Sequence, residues 1–286
     1  MYQGTYKLGI NLMGGSGLSV DDHVALLKRI GWDGFFTGWN RDKLPEFAAA
    51  AEKYGMIWQS IHAPFTQVRY MWDEGELGEQ VTDELIECVR DCAVYNVPVM
   101  VIHPFIGFGE HNPTEAGLRN FGKIIAEADA RGVRLGFENV EGEEYLSAIF
   151  ERYVGHPSLG FCFDTGHELC YNRGKDMLSE YGHALCHTHF NDNVGVTGKD
   201  IFWIDDLHLV MGDGIADWAG IMRRIRETNY DGPLMCELTF SNKPDKHTHD
   251  VYAAMGHEAF YAFALERMKT IVDLESAPRS KESHPL

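Results

Sequence analysis

No stretch of this sequence approaches the roughly 18 consecutive apolar residues of a membrane-spanning helix, there is no C-x-x-C pair, and positive charge is scarce. The first absence leaves no expectation of a membrane. The second leaves six isolated cysteines, at 88, 92, 162, 170, 186 and 236, inside apolar or helical patterns. They read as buried, reduced thiols, and with no basic-then-apolar signal in Met1 to Ile10 the expected location is cytoplasmic. The third, 25 Lys and Arg against 43 Asp and Glu for a formal net charge of -18, argues against a broad basic surface for nucleic acid or anionic lipid. The glycine-rich turn Met13-Gly14-Gly15-Ser16-Gly17 lacks both the spacing of a dinucleotide fingerprint and the lysine of a P-loop, so it reads as a tight turn.

What is present is an alternation. The 286 residues are 44% hydrophobic, ample for a large core. Short apolar runs at 7–12, 34–38, 56–61, 97–102, 133–137, 160–164, 184–190 and 234–236 read as strands. Helical patterns separate them: from Ser19 to Ile30, Leu44 to Tyr54, Leu77 to Tyr95, Thr114 to Arg131, Glu143 to Val154, a short one from Met177, Asp217 to Asn229, and a long final helix Val251 to Leu274. Eight strand-helix units with no disordered linker predict an α/β fold, a single (β/α)8 TIM barrel over residues 1–275 with its active site at the C-terminal strand ends; 276–286 read as a polar tail. A doubly wound open sheet is the alternative, but it does not call for a polar residue at nearly every strand end.

Those ends carry the chemistry. G-F-C-F-D-T-G-H at 160–167 is a buried strand that stops in Asp164 and His167, and prolines just after His62 and His103 forbid continuation of an inner strand there. With Glu138, His189 and Glu237, and with Asp206 and His208 from the long loop after strand seven, these residues are expected around one mouth. Packed carboxylates and imidazoles are costly without a cation. Glu138, Asp164, His189 and Glu237, one from each of strands five to eight, make a four-ligand set of nitrogen and oxygen donors suited to Mn²⁺, Zn²⁺, Co²⁺ or Mg²⁺. His187, two residues before His189, reads as a packed supporting histidine. Trp32, Trp39, Trp58 and Trp72 are open to two readings, wall of a sugar pocket or packing; Trp39 and Glu144 are kept as candidate substrate contacts. Phe260, Tyr261 and Phe263 on the final helix face a partner or the barrel, which keeps a homodimer or higher oligomer open.

At these residues the chain resembles the xylose isomerase-like TIM-barrel superfamily of sugar (phosphate) isomerases and epimerases, inosose dehydratases and endonuclease IV. The resemblance rests on S-I-H-A-P-F at 60–65, V-I-H-P at 101–104, G-F-E-N at 136–139, F-D-T-G-H at 163–167, H-T-H-F-N-D at 187–192, D-L-H at 206–208, G-D-G-I-A-D-W at 212–218 and Y-D-G-P-L-M-C-E-L at 230–238. It implies one divalent metal, Mn²⁺ first, on Glu138, Asp164, His189 and Glu237, with Glu138 and Glu237 as acid and base and His167 touching substrate oxygens. It implies an isomerase or epimerase acting on a carbohydrate through an enediolate. An arginine common shortly after the strand-seven histidine is missing; Asn191, Asp192, Asn193 and Val194 follow instead. Conversely, His62, His103, Glu138, Asp164, His167, His189, Asp206, His208 and Glu237 match all the zinc ligands of endonuclease IV, which cuts DNA at abasic sites. The nuclease stands second, since A-P-F-T-Q-V after His62 lacks the residues that enzyme inserts into DNA. Elimination on a keto-sugar or keto-inositol is the third reading, because it shares the first proton abstraction.

Overall fold

The computed structural model describes residues 6–109 and 112–274. The polar tail at 276–286 and the first five residues lie outside that range. Helix boundaries follow from local capping. Ser19 accepts the Asp22 N–H to start α1 (Val20–Ile30), and Thr114 accepts that of Gly117 to start α4 (Glu115–Arg131). Acidic Asp21 and Asp22 in the first turn of α1 and basic Lys28 and Arg29 in its last match the helix dipole. The other helices are α2 (Leu44–Tyr54), α3 (Glu76–Val94), α5 (Glu143–Arg152), α6 (Thr165–Cys170), α7 (Met177–Tyr181), α8 (Trp218–Glu227), α9 (Asp250–Met255) and α10 (His257–Asp273).

Eight parallel strands lie between them: β1 (Leu8–Asn11), β2 (Gly34–Gly38), β3 (Ile57–His62), β4 (Val99–Ile102), β5 (Arg134–Glu138), β6 (Leu159–Asp164), β7 (Leu185–His189) and β8 (Leu234–Cys236). They form one sheet in the order β7-β6-β5-β4-β3-β2-β1-β8. Its two edges meet through a parallel bridge between Phe190 and Cys236, where Phe190 N–H donates to Met235 O at 2.7 Å, and the sheet becomes a barrel. This is the (β/α)8 architecture predicted above.

Successive strand residues face opposite sides of a sheet, and the packing sorts accordingly. Met100, Ile102, Phe161 and Phe163 join the large core between sheet and helices, whereas Val99, Val101 and Cys162 form a separate small cluster inside the barrel. The inner series continues upward. Ser60 and His62, Gly136 and Glu138, Cys162 and Asp164, and His187 and His189 each lie two residues apart on one strand. The last member of each pair is a site candidate, so the pleat that packs the barrel also aims these side chains at the mouth.

The final helix departs from the expectation. Gly256, at φ 72° and ψ 162°, breaks it into α9 and α10, because that extended left-side conformation cannot continue a helix. Phe260 and Tyr261 are fully buried and Phe263 packs partly against the core, so these aromatics serve the barrel and give no argument for a dimer. The Tyr261 hydroxyl accepts the Met13 N–H at 3.1 Å and its carbonyl accepts Trp32 Nε1–H at 3.2 Å, fastening α10 to the segments that follow β1 and α1. Helix α6 is short and begins at the polar end of an apolar run, which is why periodicity did not register it. All six cysteines are free thiols, and all but Cys186 are buried.

Candidate metal centre at the barrel mouth

Glu138, wholly buried, is the hub of the mouth. Its Oε2 lies 3.4 Å from His62 Nε2 and 3.1 Å from His103 Nε2; its Oε1 lies 2.9 Å from His189 Nδ1 and 3.4 Å from His167 Nδ1. From the opposite strand Glu237 Oε2 reaches the same His189 nitrogen at 3.1 Å. Asp206 Oδ1 lies 3.0 Å from His208 Nε2 and 3.4 Å from His167 Nε2. His208 holds φ at 53°, a left-handed conformation costly for a side-chain-bearing residue and typical of functional sites.

The donor atoms gather into sets lying within 4.8 Å of one another: Glu138 with Asp164, His189 and Glu237; His62 with His103 and Glu138; His167 with Asp206 and His208. A fourth set would replace oxygen donors by Cys162, but burial pushes that thiol far above its ordinary pKa and a metal needs the thiolate. Glu138 Oε2, His167 Nδ1 and Asp206 Oδ1 are buried without a hydrogen-bond partner of good geometry. Buried polar atoms are seldom orphaned, and carboxylates facing imidazole nitrogens in this way fit a divalent cation among them.

The charges are tuned in opposite senses. Burial alone would raise Glu138, but His189, His103 and His167 outweigh it and hold the carboxyl well below the usual range. Glu237 is likewise opposed by burial and brought to about 2 by His189 and His208. Asp164 is different: burial dominates and lifts it to about 6. His208, against burial, is raised to about 9 by Asp206. His187 is pushed well below its ordinary value by burial, so it stays a neutral ring, its Nε2 3.1 Å from Ser60 Oγ and its ring edge-on to His189.

Above the centre is a cavity of about 380 Å³, lined by His62, His103, His167, Asp206, His208 and Glu237 together with aromatic residues of the surrounding loops. The profile of the family described as xylose isomerase-like TIM barrel matches residues 24–255. The chain belongs to the xylose isomerase-like TIM-barrel family. The uncharacterized protein MJ1311 of Methanocaldococcus jannaschii is 25% identical over 198 residues, covering 62% of this chain and 63% of the relative. The uncharacterized protein y4fM of Sinorhizobium fredii is 33% identical over 126 residues, covering 42% of this chain and 38% of the relative. The match therefore spans less than two thirds of either relative. Among solved structures, a D-tagatose 3-epimerase-like protein superposes with TM-score 0.70 at 18% identity over 95% of this chain and all of that one. D-psicose 3-epimerase from Clostridium cellulolyticum H10, solved with D-tagatose, gives 0.68 at 13% identity over 93% and 99%. A xylose isomerase-like TIM barrel protein from Mycobacterium smegmatis, in complex with magnesium, gives 0.64 at 14% identity over 94% and 98%. At these identities the likeness is one of fold.

All nine strand-end and loop candidates, His62, His103, Glu138, Asp164, His167, His189, Asp206, His208 and Glu237, stand around one mouth. Trp39 does not: its Nε1–H donates to Asp91 Oδ2 at 2.9 Å and Arg41 lies over its ring, on the α3 side. Trp32, Trp58 and Trp72 are buried in the core. Glu144 borders a neighbouring cleft instead of the cavity over the centre. Sequence reading missed the residues that hold the centre. Asn191 Nδ2–H donates to Asp164 Oδ2 at 2.8 Å, in the segment after His189 where the resembling family commonly carries an arginine. Asp192 accepts the N–H groups of Gly212 and Ala216 and Trp218 Nε1–H, at 2.8, 3.0 and 2.9 Å, and so ties down the loop that carries Asp206 and His208. The pairing of N-D at 191–192 with G-D-G-I-A-D-W at 212–218 was the available signal. Lys243 Nζ, 3.5 Å from Asp206 Oδ2, and Glu141 also reach the cavity unannounced.

Proposed function

We propose that this chain is a divalent-metal-dependent carbohydrate isomerase or epimerase, with the cation held by Glu138, Asp164, His189 and Glu237. The observation that carries the reading is the convergence of Glu138 and Glu237, from β5 and the end of β8, on one nitrogen of His189 at 2.9 and 3.1 Å. Solved structures of this fold that are named as a D-tagatose 3-epimerase-like protein and a D-psicose 3-epimerase support a sugar substrate. The oxygen-rich donor set favours Mn²⁺, with Mg²⁺, Co²⁺ or Zn²⁺ as alternatives, and the free thiols favour a cytoplasmic setting.

A bound cation supplies electrostatic stabilisation of the charge that develops as a ketose becomes an enediolate. Held well below neutrality, both glutamates are carboxylates at pH 7 and both can accept a proton. One takes the proton from the carbon beside the carbonyl; the other, having first taken a proton from water, returns it on the opposite face for an epimerase or at the neighbouring carbon for an isomerase. Asn191 keeps Asp164 from turning, and His167 and His208 face the cavity as donors to substrate hydroxyls. A panel of ketohexoses incubated in D₂O with Mn²⁺ should show deuterium entering beside the carbonyl by NMR. Absence of exchange on every sugar sinks the reading.

A second reading, phosphodiester hydrolysis at a centre of up to three ions, is favoured by one observation: the His62, His103, Glu138 set and the His167, Asp206, His208 set flank the central one. Protein purified without chelator should carry about one ion per chain under the first reading and about three under the second. Cleavage of an abasic-site duplex checks the second directly.

A further inference from the structure

The cavity above the centre does not end at its rim. At about 380 Å³ it lies low in the range of roughly 300–1,000 Å³ usual for small-molecule sites, room for one sugar ring. Phe108 and Glu141 line it on one side and, on their other side, line a second open cleft of about 580 Å³. One monosaccharide leaves that cleft empty.

Its surface has a distinct chemistry. Among the described residues, the exposed Phe and Trp side chains are Phe65, Phe108, Phe202 and Trp203, at 37, 40, 46 and 41% exposure, and all four line these two compartments. Scattered apolar groups on a surface need no explanation, but a cluster beside a candidate active site marks a binding surface. Phe108 and Phe202 stand with ring centres 5.5 Å apart and tilted by 51°, an open platform. Around it are Glu144, Arg173 and Asp200. Glu141 is buried at the junction and accepts the Gly107 N–H at 2.8 Å. Arg173 holds φ at 54°, and its Nη2–H donates to Lys199 O at 3.0 Å, which ties the guanidinium to the loop bordering the cleft. Aromatic faces beneath and charged hydrogen-bonding groups at the edge complement a sugar ring, whose face is C–H and whose rim is hydroxyl. Three carboxylate side chains against one guanidinium oppose a phosphate or other anion there.

We propose that the substrate is a neutral glycosylated keto-sugar whose reacting ring sits over the metal centre and whose second ring lies on Phe108 and Phe202. This rests on the sugar chemistry proposed above and specifies its substrate class. The Mn²⁺-loaded protein would be given, in D₂O, free ketohexoses, ketohexose 6-phosphates, and the ketose disaccharides turanose, maltulose and isomaltulose. The expected result is a kcat/KM for exchange on the best disaccharide roughly tenfold above that on its free ketose, with the phosphates below both. Phe202→Ala, on an exposed loop residue, should bring the ratio of disaccharide to free ketose to about one. Equal or faster exchange on free ketoses or phosphates, or a Phe202→Ala variant that keeps the ratio, overturns the inference and leaves the isomerase reading standing. No exchange on any member of the panel overturns both.

Discussion

The carboxamide of Asn191 occupies the space that a β-carbon on residue 166 would fill, so the glycine of F-D-T-G-H is required by a side chain from the next strand's exit. Gly166 lies in α6 with ordinary helical geometry, so the requirement is one of room and not of backbone freedom. Asn191 in turn donates to Asp164 Oδ2. Gly166→Ala should therefore push Asn191 away and leave Asp164 Oδ2 without its partner, Oδ1 staying on the His167 N–H, and so weaken divalent-metal affinity by about 10–100-fold, the usual cost of losing a partner that orients a ligand. Competition with a chelating dye measures this; affinity equal to that of the unaltered protein would refute the linkage.

Glu237 makes the cleaner test of proton transfer, because Glu138 touches four histidines and its replacement disturbs the whole centre. Glu237→Gln keeps the shape and removes the base. Deuterium exchange should fall by about 10²–10⁴-fold while folding, followed by circular dichroism, is retained. A loss smaller than tenfold would assign proton transfer elsewhere.

How far the sequence reaches can be judged from such pairs. His62 and His103 were legible because the prolines beside them fix where a strand must stop. Glu138, Asp164 and His189 were legible because a pleat of period two places them after Gly136, Cys162 and His187. Asn191, Asp192, Glu141 and Lys243 were not, since each lies in a loop and acts on a partner at least 20 residues away, a pairing that no periodicity encodes. For the same kind of reason the sequence alone does not decide whether Tyr261 faces a partner or the barrel: it meets Met13 and His23, at the other end of the chain.

Arg224 on α8 grips Glu168 of α6 with two hydrogen bonds, at 2.7 and 3.0 Å, and Asp176 beside α7 with a third at 2.6 Å. Glu168 is nearly buried, so removing the guanidinium strands a charge away from water. Arg224→Leu should cost about 3–5 kcal/mol of unfolding free energy, and Glu168→Leu/Arg224→Leu less than the single change. Denaturant titrations of both variants check this; a single change within about 0.5 kcal/mol of the parent would mean that solvent replaces the pair.

His23 on α1 supplies a pH dependence that is remote from the candidate ligands. It is 6% exposed, its Nε2 lies 2.7 Å from the Tyr261 hydroxyl, and His257 faces it edge-on at 6.4 Å. Burial, reinforced by His257, lowers its pKa from 6.5 to about 4. Between those values the unfolded chain binds a proton that the folded chain refuses, so stability is complete above about pH 6.5 and declines as the pH falls toward 4. The full decline is on the order of 3 kcal/mol, the shift taken at about 1.4 kcal/mol for each unit. In metal-free protein Asp164 acts oppositely, because its raised value near 6 makes the folded state bind the extra proton as the pH drops. A difference between two variants cancels that contribution. His23→Gln retains a hydrogen-bonding group toward Tyr261 and removes the titration. Its unfolding free energy relative to the parent should therefore improve steadily from pH 7 to pH 4, and a difference that stays constant across that window would show that His23 is not the group that limits acid stability.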